Sequence, residues 1–307
     1  HYMKHETNKK GFTLIELLVV MSIIALLLSI LMPALGRARA EAMLTKDQSQ
    51  VKAVYGGFSF WSPTHNGMFP IPGLQQRQAD PGTGQFIKGR GPEDLAVNDH
   101  ASLLSMCIMQ NLFTPDILVA PTEQSEWVAP MDAYDYDVFD ASSTSQPGVF
   151  WDPLFGNDLS GDSDNDCNNS YGIMPLTGKR KPRNWKVGSS AFALLGTRGP
   201  ENGENSKFSK SNLFHGISSD WKGVVTFGDG HLEILETFYP DSTTYQDSNG
   251  VSMIDNIFKE DEGQATDPDF GGGQGEFADC ILTHVKFGDI TDTTSTKAGG
   301  VSEFLHD

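Results

Sequence analysis

The chain has 307 residues and a formal charge of −18, from 22 Lys and Arg against 40 Asp and Glu. This acidic balance argues against binding to nucleic acid or to an anionic membrane surface, because both favour basic patches. Three cysteines without a Cys-x-x-Cys pair exclude a zinc ribbon. In an extracytoplasmic chain they would permit one disulfide, and the sequence leaves open which two of Cys107, Cys167 and Cys280 would form it.

The N-terminal part of the chain contains an apolar segment at residues 12–35. The polar residues in this segment are Thr13, Glu16, Ser22 and Ser29. A helix of about 20 apolar residues crosses the hydrocarbon core of a bilayer, so the segment predicts a membrane-spanning helix. Lysines precede the segment, and the positive-inside tendency therefore keeps residues 1–11 in the cytoplasm and exports the rest.

Two features distinguish this segment from an ordinary membrane anchor. The small residue Gly11 precedes the apolar run, so cleavage there would leave the helix attached to the exported chain. Glu16 lies one turn inside the run, where an unpaired charge costs at least about 2.5 kcal/mol. Glu16 therefore needs a partner, which the new amine of Phe12 would supply from its own chain or from a neighbour.

The residues Lys-Lys-Gly-Phe-Thr-Leu-Ile-Glu at positions 9–16 closely resemble the cleavage and methylation signal of type IV prepilins and type II secretion pseudopilins. The resemblance implies that a prepilin peptidase cuts after Gly11 and methylates Phe12. It also implies that Glu16 complements the terminal amine of an adjacent subunit during filament growth. Pro33 fits as well, because such filaments often have a helix loosened near a proline.

The helix is expected to continue beyond the membrane, because apolar residues recur at helical spacing up to Trp61. These residues are Leu44, Val51, Val54, Tyr55, Phe58 and Trp61. Residues 12–61 would then form one rod of about 75 Å. The resemblance implies an α+β, pilin-like lollipop, in which this helix packs on an antiparallel β-sheet body with long loops. We divide the chain into a leader at 1–11, a transmembrane and filament-core helix at 12–35, its amphipathic continuation at 36–62 and an extracytoplasmic globular domain at 63–307.

Within the globular domain, Asp99 is predicted to cap a short helix. One face of that helix carries Leu103, Leu104, Cys107 and Ile108. We expect loops at residues 71–98, 122–170 and 271–275, and strands at residues 190–196 and 278–287.

The clearest strand pattern is a hairpin at residues 223–235. Asp229 and Gly230 suit a two-residue type I′ turn. Such a turn would place Phe227 opposite Leu232 and Val225 opposite Ile234, with all four on one face of the sheet.

A second resemblance concerns the same region. Residues 221–233, with the upstream His215, are similar to the His to Asp-Gly signature of a subgroup of large prepilin-type proteins. Thirteen residues lie between His215 and Asp229, which is longer than the usual spacing in that subgroup. The subgroup commonly has Cys-Pro before the acidic loop, whereas this chain has Ala120 and Pro121, so a disulfide cannot be carried over.

Two groups of residues are candidate metal ligands. The alternating carboxylates of the acidic loop are typical of a calcium site, and the set is Asp158, Asp162, Asp164, Asp166 and Asn168. Cys167 and Ile173 occupy the EF-hand positions of Gly and Glu, and a solvated acidic loop is the alternative. His231, Glu233 and the remote His215 have ligand chemistry suited to a transition metal, although strand alternation also places His231 and Glu233 on a polar face.

The sequence thus predicts a structural subunit of a pilus or secretion pseudopilus, and we expect no enzyme, since the hydrolase and zinc-protease motifs are missing. Its partners would be copies of itself in a helical filament, prepilin peptidase, an inner-membrane assembly platform and, before assembly, membrane lipid. The precursor would be anchored in the inner membrane with a cytoplasmic leader, and the mature form would lie in a filament at the cell surface. The alternative is a monomeric, membrane-anchored surface protein that binds calcium, a glycan or a protein partner. The lack of a basic patch favours a secretion-type pseudopilin over a DNA-binding pilin.

Overall fold

The structure is a computed structural model. It describes residues 12–159, 167–176, 181, 185–200, 203–204, 209–216, 220–246, 251–259, 281–286 and 303–305. The chain divides into two compact units, residues 1–44 and 45–307.

Helix α1, Leu14–Trp61, is continuous through Pro33. From Leu14 to Leu35 its large apolar side chains are exposed, with fractions between 46% at Val19 and 80% at Leu14. The helix is long and apolar enough to cross a membrane by length and composition. The composition of residues 12–35 predicted this helix, because nearly every side chain in the run is apolar and a helix satisfies its backbone polar groups internally.

In the second unit, the C-terminal part of α1 buries one face. Val51, Val54 and Phe58 are fully buried, as their spacing predicts. The ring of Phe58 contacts those of Phe69 and Trp185, with centroids 6.3 and 5.6 Å apart. These aromatic contacts give the helix its place in the core of the second unit.

Two short α-helices of the second unit lie entirely within the described residues. Helix α2 is Pro72–Gln75, inside the segment predicted to be a loop, and α3 is His100–Met109. The predicted cap of α3 is confirmed: a side-chain oxygen of Asp99 accepts a hydrogen bond from the Ser102 N–H at 2.6 Å. The predicted apolar face of α3 is also confirmed, because its four members, Leu103, Leu104, Cys107 and Ile108, are fully buried.

Within the described residues, the paired strands are antiparallel and form one four-stranded sheet and two two-stranded sheets. The larger sheet has the order β1 to β4, with strands Tyr171–Ile173, Ala193–Thr197, Gly223–Phe227 and Leu232–Leu235. The two-stranded sheets pair β5 with β6 and β7 with β8, with strands Thr244–Gln246, Ser252–Ile254, His284–Lys286 and Glu303–Leu305. The long apolar helix and the antiparallel sheet confirm the α+β, pilin-like fold class.

The predicted register of the β3–β4 hairpin is wrong by one residue. Thr226 lies opposite Leu232 and Val225 lies opposite Glu233, because the turn contains three residues, 228–230. Gly230 has φ +85°, and its N–H bonds the Phe227 carbonyl, as in a hairpin whose third loop residue is left-handed. The prediction assumed that β3 has one polar face, but Thr226 is fully buried, so the alternation of polar residues did not define the register.

Several predictions lie outside the described residues. These are the leader with Gly11, the loop at 271–275 and Cys280. Of the strand predicted at 278–287, residues 281–286 are described, and residues 284–286 form β7.

Candidate functional site

The predicted assembly residue Glu16 lies in the first turn of α1, where it forms a reciprocal cap with Thr13. The backbone N–H and the hydroxyl of Thr13 each donate to Glu16 Oε2 at 2.8 Å. The Glu16 N–H lies 3.3 Å from the Thr13 hydroxyl oxygen, which accepts its hydrogen bond. This Thr-x-x-Glu arrangement is a capping box, and it satisfies groups that the start of a helix otherwise leaves unpaired.

The capping box supplies two hydrogen bonds to one carboxylate oxygen of Glu16 but does not neutralise its charge. Both donors on Thr13 are neutral groups, so the carboxylate keeps a full negative charge beside an exposed Phe12. A cationic group close to Phe12 would meet a carboxylate that is already held in place. Sequence reasoning predicted the need for a partner but missed the Thr13 cap, although the Thr-x-x-Glu spacing could have indicated it.

The two serines of the apolar segment bond within the helix. Ser22 Oγ donates to the Val19 carbonyl at 2.8 Å, and Ser29 Oγ donates to the Leu26 carbonyl at 2.7 Å. Since both hydroxyls are satisfied internally, this helical surface can face lipid or another apolar helix without leaving these donors unpaired.

His215 contacts a residue that the sequence analysis did not single out. Its Nε2 lies 2.7 Å from Oδ2 of Asp47, and Asp47 is fully buried on α1. The Tyr171 hydroxyl donates to the other oxygen of Asp47 at 2.6 Å. Burial and the adjacent Asp47 charge hold the pKa of Tyr171 well above its usual value. The carboxylate of Asp47 lies on the apolar stripe of a helix, and this position indicates that it needs a polar partner. The sequence did not indicate that this partner is His215.

The other predicted residues of the Asp-Gly region come together on the β3–β4 hairpin. His231 Nδ1 lies 2.5 Å from Asp229 Oδ1, and His231 Nε2 lies 3.2 Å from Glu233 Oε1. Burial raises the pKa of Asp229, but the hydrogen bonds from the His231 N–H and ring outweigh burial, so this pKa lies below its usual value. The His231 ring also stacks on Phe227, with centroids 4.4 Å apart.

The same hairpin turn packs against α1. The Tyr55 hydroxyl donates to the Gly228 carbonyl at 3.1 Å, and Lys52 Nζ donates to the Gly230 carbonyl at 2.6 Å. A Cβ atom on Gly230 would lie 2.4 Å from the Tyr55 ring. The Asp-Gly turn therefore has a structural role, because it joins the sheet to the helix.

The described residues contain no cluster of three or more His, Cys, Asp or Glu side chains that could hold a metal ion. His215 contacts Asp47, whereas His231 contacts Asp229 and Glu233, so the predicted transition-metal set is divided between two local networks. Of the predicted calcium ligands, Asp158 and Asn168 are described, and Asp162, Asp164 and Asp166 lie outside the described residues. The calcium site stays a prediction.

Cys107 and Cys167 are free, buried thiols. Burial raises the pKa of Cys167 to about 12 and also raises that of Cys107. Both therefore remain protonated at neutral pH, and the Cys167 thiol donates to the Asn169 carbonyl at 3.1 Å.

Comparison with known families finds the prokaryotic N-terminal methylation motif at residues 7–32. No curated protein and no solved structure matches the chain significantly. The motif overlaps the start of α1, and together they support a type IV prepilin- or pseudopilin-like protein with the features of a membrane-anchored precursor. This class consists of structural proteins that a peptidase processes and that assemble into filaments. The C-terminal His to Asp-Gly signature remains a prediction.

Proposed function

We propose that this chain is a structural subunit of an extracytoplasmic pilus or pseudopilus. It is cut after Gly11, is methylated at Phe12 and polymerises through its N-terminal helix. The observation that carries this proposal is the methylation motif on a helix whose apolar side chains are exposed from Phe12 to Leu35.

Polymerisation would provide those side chains with an apolar environment other than lipid. Before assembly, they would face the hydrocarbon core of the inner membrane. In the filament they would pack against the helices of neighbouring subunits, where dispersion and close packing replace contact with lipid.

The charge of Glu16 would set the register between neighbouring helices. The Thr13 cap keeps the carboxylate at the start of the helix, and the amine of Phe12 on an adjacent subunit would neutralise it. Because a lone charge in hydrocarbon is costly, the register that pairs each amine with a carboxylate is favoured over the others.

The test compares Glu16→Gln with Glu16→Ala. Gln serves in a capping box but has no charge, whereas Ala removes the cap and the charge together. We expect both variants to insert and to be cleaved, and both to lower the filament yield. A charge-assisted hydrogen bond of roughly 1.5–3 kcal/mol predicts a rise of about tenfold or more in the subunit concentration needed for assembly.

The measurement is the ratio of sheared filament protein to membrane-bound, processed protein. Ser22→Ala is the matched control, since it changes a polar residue of the same segment whose hydroxyl bonds only within the helix. Normal assembly of Glu16→Gln would show that the carboxylate acts only as a cap and would remove charge pairing from the mechanism. Normal assembly of both variants would remove Glu16 from the assembly mechanism, whereas a wild-type chain that is missing from sheared filaments would favour a monomeric surface protein.

A further inference from the structure

A cleft in the second unit lies between the loop after α2 and the segment at residues 141–150. It is shallow and open to solvent. Phe86 and Phe150 contribute aromatic surface, and Gln75 and Ser143 contribute polar groups. The cleft can therefore contact one face of a ring-sized ligand but does not enclose it.

The charges of this cleft are opposite to that of the protein as a whole. Its charged lining residues, all within the described part of the chain, are Arg77 and Lys88, and no Asp or Glu lines it. In the regions that the structure describes, no carboxylate forms an ion pair with either cation. Glu93, which bridges to Arg77 through the backbone, instead binds Lys181 at 2.7 Å.

Both cations are held in place by neutral groups. Arg77 donates from Nε to the Leu74 carbonyl and from Nη1 to the Gly91 carbonyl, at 3.1 and 2.9 Å. Lys88 Nζ lies 6.0 Å from the centre of the Phe139 ring, within cation–π range. Arg77 is oriented by carbonyl oxygens and Lys88 is exposed, and because these contacts leave both cations without a counter-charge, both charges remain available to an anionic ligand.

The walls of the cleft are formed without a ligand. The Phe86 N–H donates to the Thr144 carbonyl at 3.2 Å and so ties one wall to the other. Asp140 and Val149 exchange two backbone hydrogen bonds of 2.9 and 2.7 Å. A preformed site loses little conformational entropy on binding.

We propose that this cleft binds a carboxylate-bearing sugar unit of an acidic polysaccharide. The carboxylate would meet Arg77 and Lys88, whose charges match it. The apolar face of the sugar ring would pack on the aromatic side chains, and its hydroxyls would bond Gln75 and Ser143. This inference goes beyond the role of a filament subunit and does not depend on it, since every residue of the cleft lies in the second unit.

The test is calorimetric titration of the full chain in detergent with trigalacturonate, with neutral maltotriose and with inorganic sulfate. We expect saturable binding of trigalacturonate and weaker or no binding of the other two. Lys88→Gln should weaken that binding about tenfold, as expected for the loss of a charged hydrogen-bond partner. Arg77→Lys, which keeps the charge but loses the planar fork, should also weaken it.

Arg90→Gln is the matched control, because Arg90 is an exposed cation on the same loop but does not line the cleft. It should leave the affinity unchanged. Equal losses in Lys88→Gln and Arg90→Gln would show general charge attraction and overturn the proposal. Failure of trigalacturonate to bind, or equally tight binding of sulfate, would also overturn it.

Discussion

Two separate constraints restrict position 230 to glycine. The backbone of Gly230 is left-handed, with φ +85°, and a Cβ atom there would lie 2.4 Å from the Tyr55 ring. The first constraint comes from the three-residue turn, and the second comes from the packing of that turn on α1. The Asp-Gly pair predicted from the sequence is therefore explained by contacts with a distant helix as well as by local turn geometry.

Gly230→Ala should destabilise the second unit by more than left-handed strain alone. Strain at a non-glycine residue with positive φ costs about 1–3 kcal/mol, and the contact with Tyr55 adds to it. Gly84→Ala is the matched control, because Gly84 has φ +67° and no atom within 4 Å of the added Cβ. Urea unfolding of the full chain in detergent should show a larger loss for Gly230→Ala, and equal losses would contradict the packing role of Tyr55.

Half-buried Asp99 and fully buried His100 are adjacent, and their contributions to stability depend on pH in opposite directions. Burial raises the pKa of Asp99 to about 6, although hydrogen bonds from Ser102 oppose the shift. Burial lowers the pKa of His100 to about 3. As pH falls from about 6 to 4, Asp99 takes up a proton in the folded state but not in the unfolded state. The contribution of Asp99 to the free energy of unfolding therefore rises. Below about pH 6.5 the unfolded state protonates at His100 while the folded state resists, so that contribution falls.

Asp99→Asn should isolate the first of these effects. Asn is an equally good helix N-cap but does not titrate. The stability of the wild type relative to this variant should therefore increase by roughly 1–3 kcal/mol between pH 7 and pH 4. The measurement is the free energy of unfolding of both proteins across this range. Since His100 is present in both, its effect cancels, and a pH-independent difference would show that Asp99 is ionised throughout.

At the scale of elements, local patterns predicted the helices better than the sheet. The apolar run predicted the N-terminal part of α1, and the Asp99 cap with its apolar face predicted α3, because both patterns lie within one stretch of chain. The β3–β4 register was wrong because Gly228 belongs to the turn, which Tyr55 and Lys52 hold from another element. A pattern of polar and apolar residues cannot define the register of a strand that is buried on both faces.

The site residues show the same limit. The need of Glu16 for a partner was predicted from the free-energy cost of a charge in the membrane. The sequence reasoning overlooked the hydrogen bonds with Thr13, although Thr13 lies three residues away. Asp47 and His215 are 168 positions apart, and neither residue type predicts the other. Their contact depends on how α1 packs in the second unit, and the sequence contains no local signal for it.

At the scale of the whole molecule, the two compact units differ in chemistry. Residues 12–35 expose apolar side chains, whereas residues 45–307 bury a core and form the sheet. This division suits a subunit whose first unit makes the cohesive contacts and whose acidic second unit is exported. The net charge of −18 would keep exported copies soluble until the helices bring them together.

The most direct test of the central proposal, a processed filament subunit, is mass spectrometry of the native protein's N-terminus. We predict that the mature protein begins at Phe12 and carries one methyl group on its α-amine. The sample should come from sheared filaments and, separately, from membranes, so that precursor and assembled forms are distinguished. Mature protein that consists of single molecules and still carries residues up to Gly11 would contradict the account.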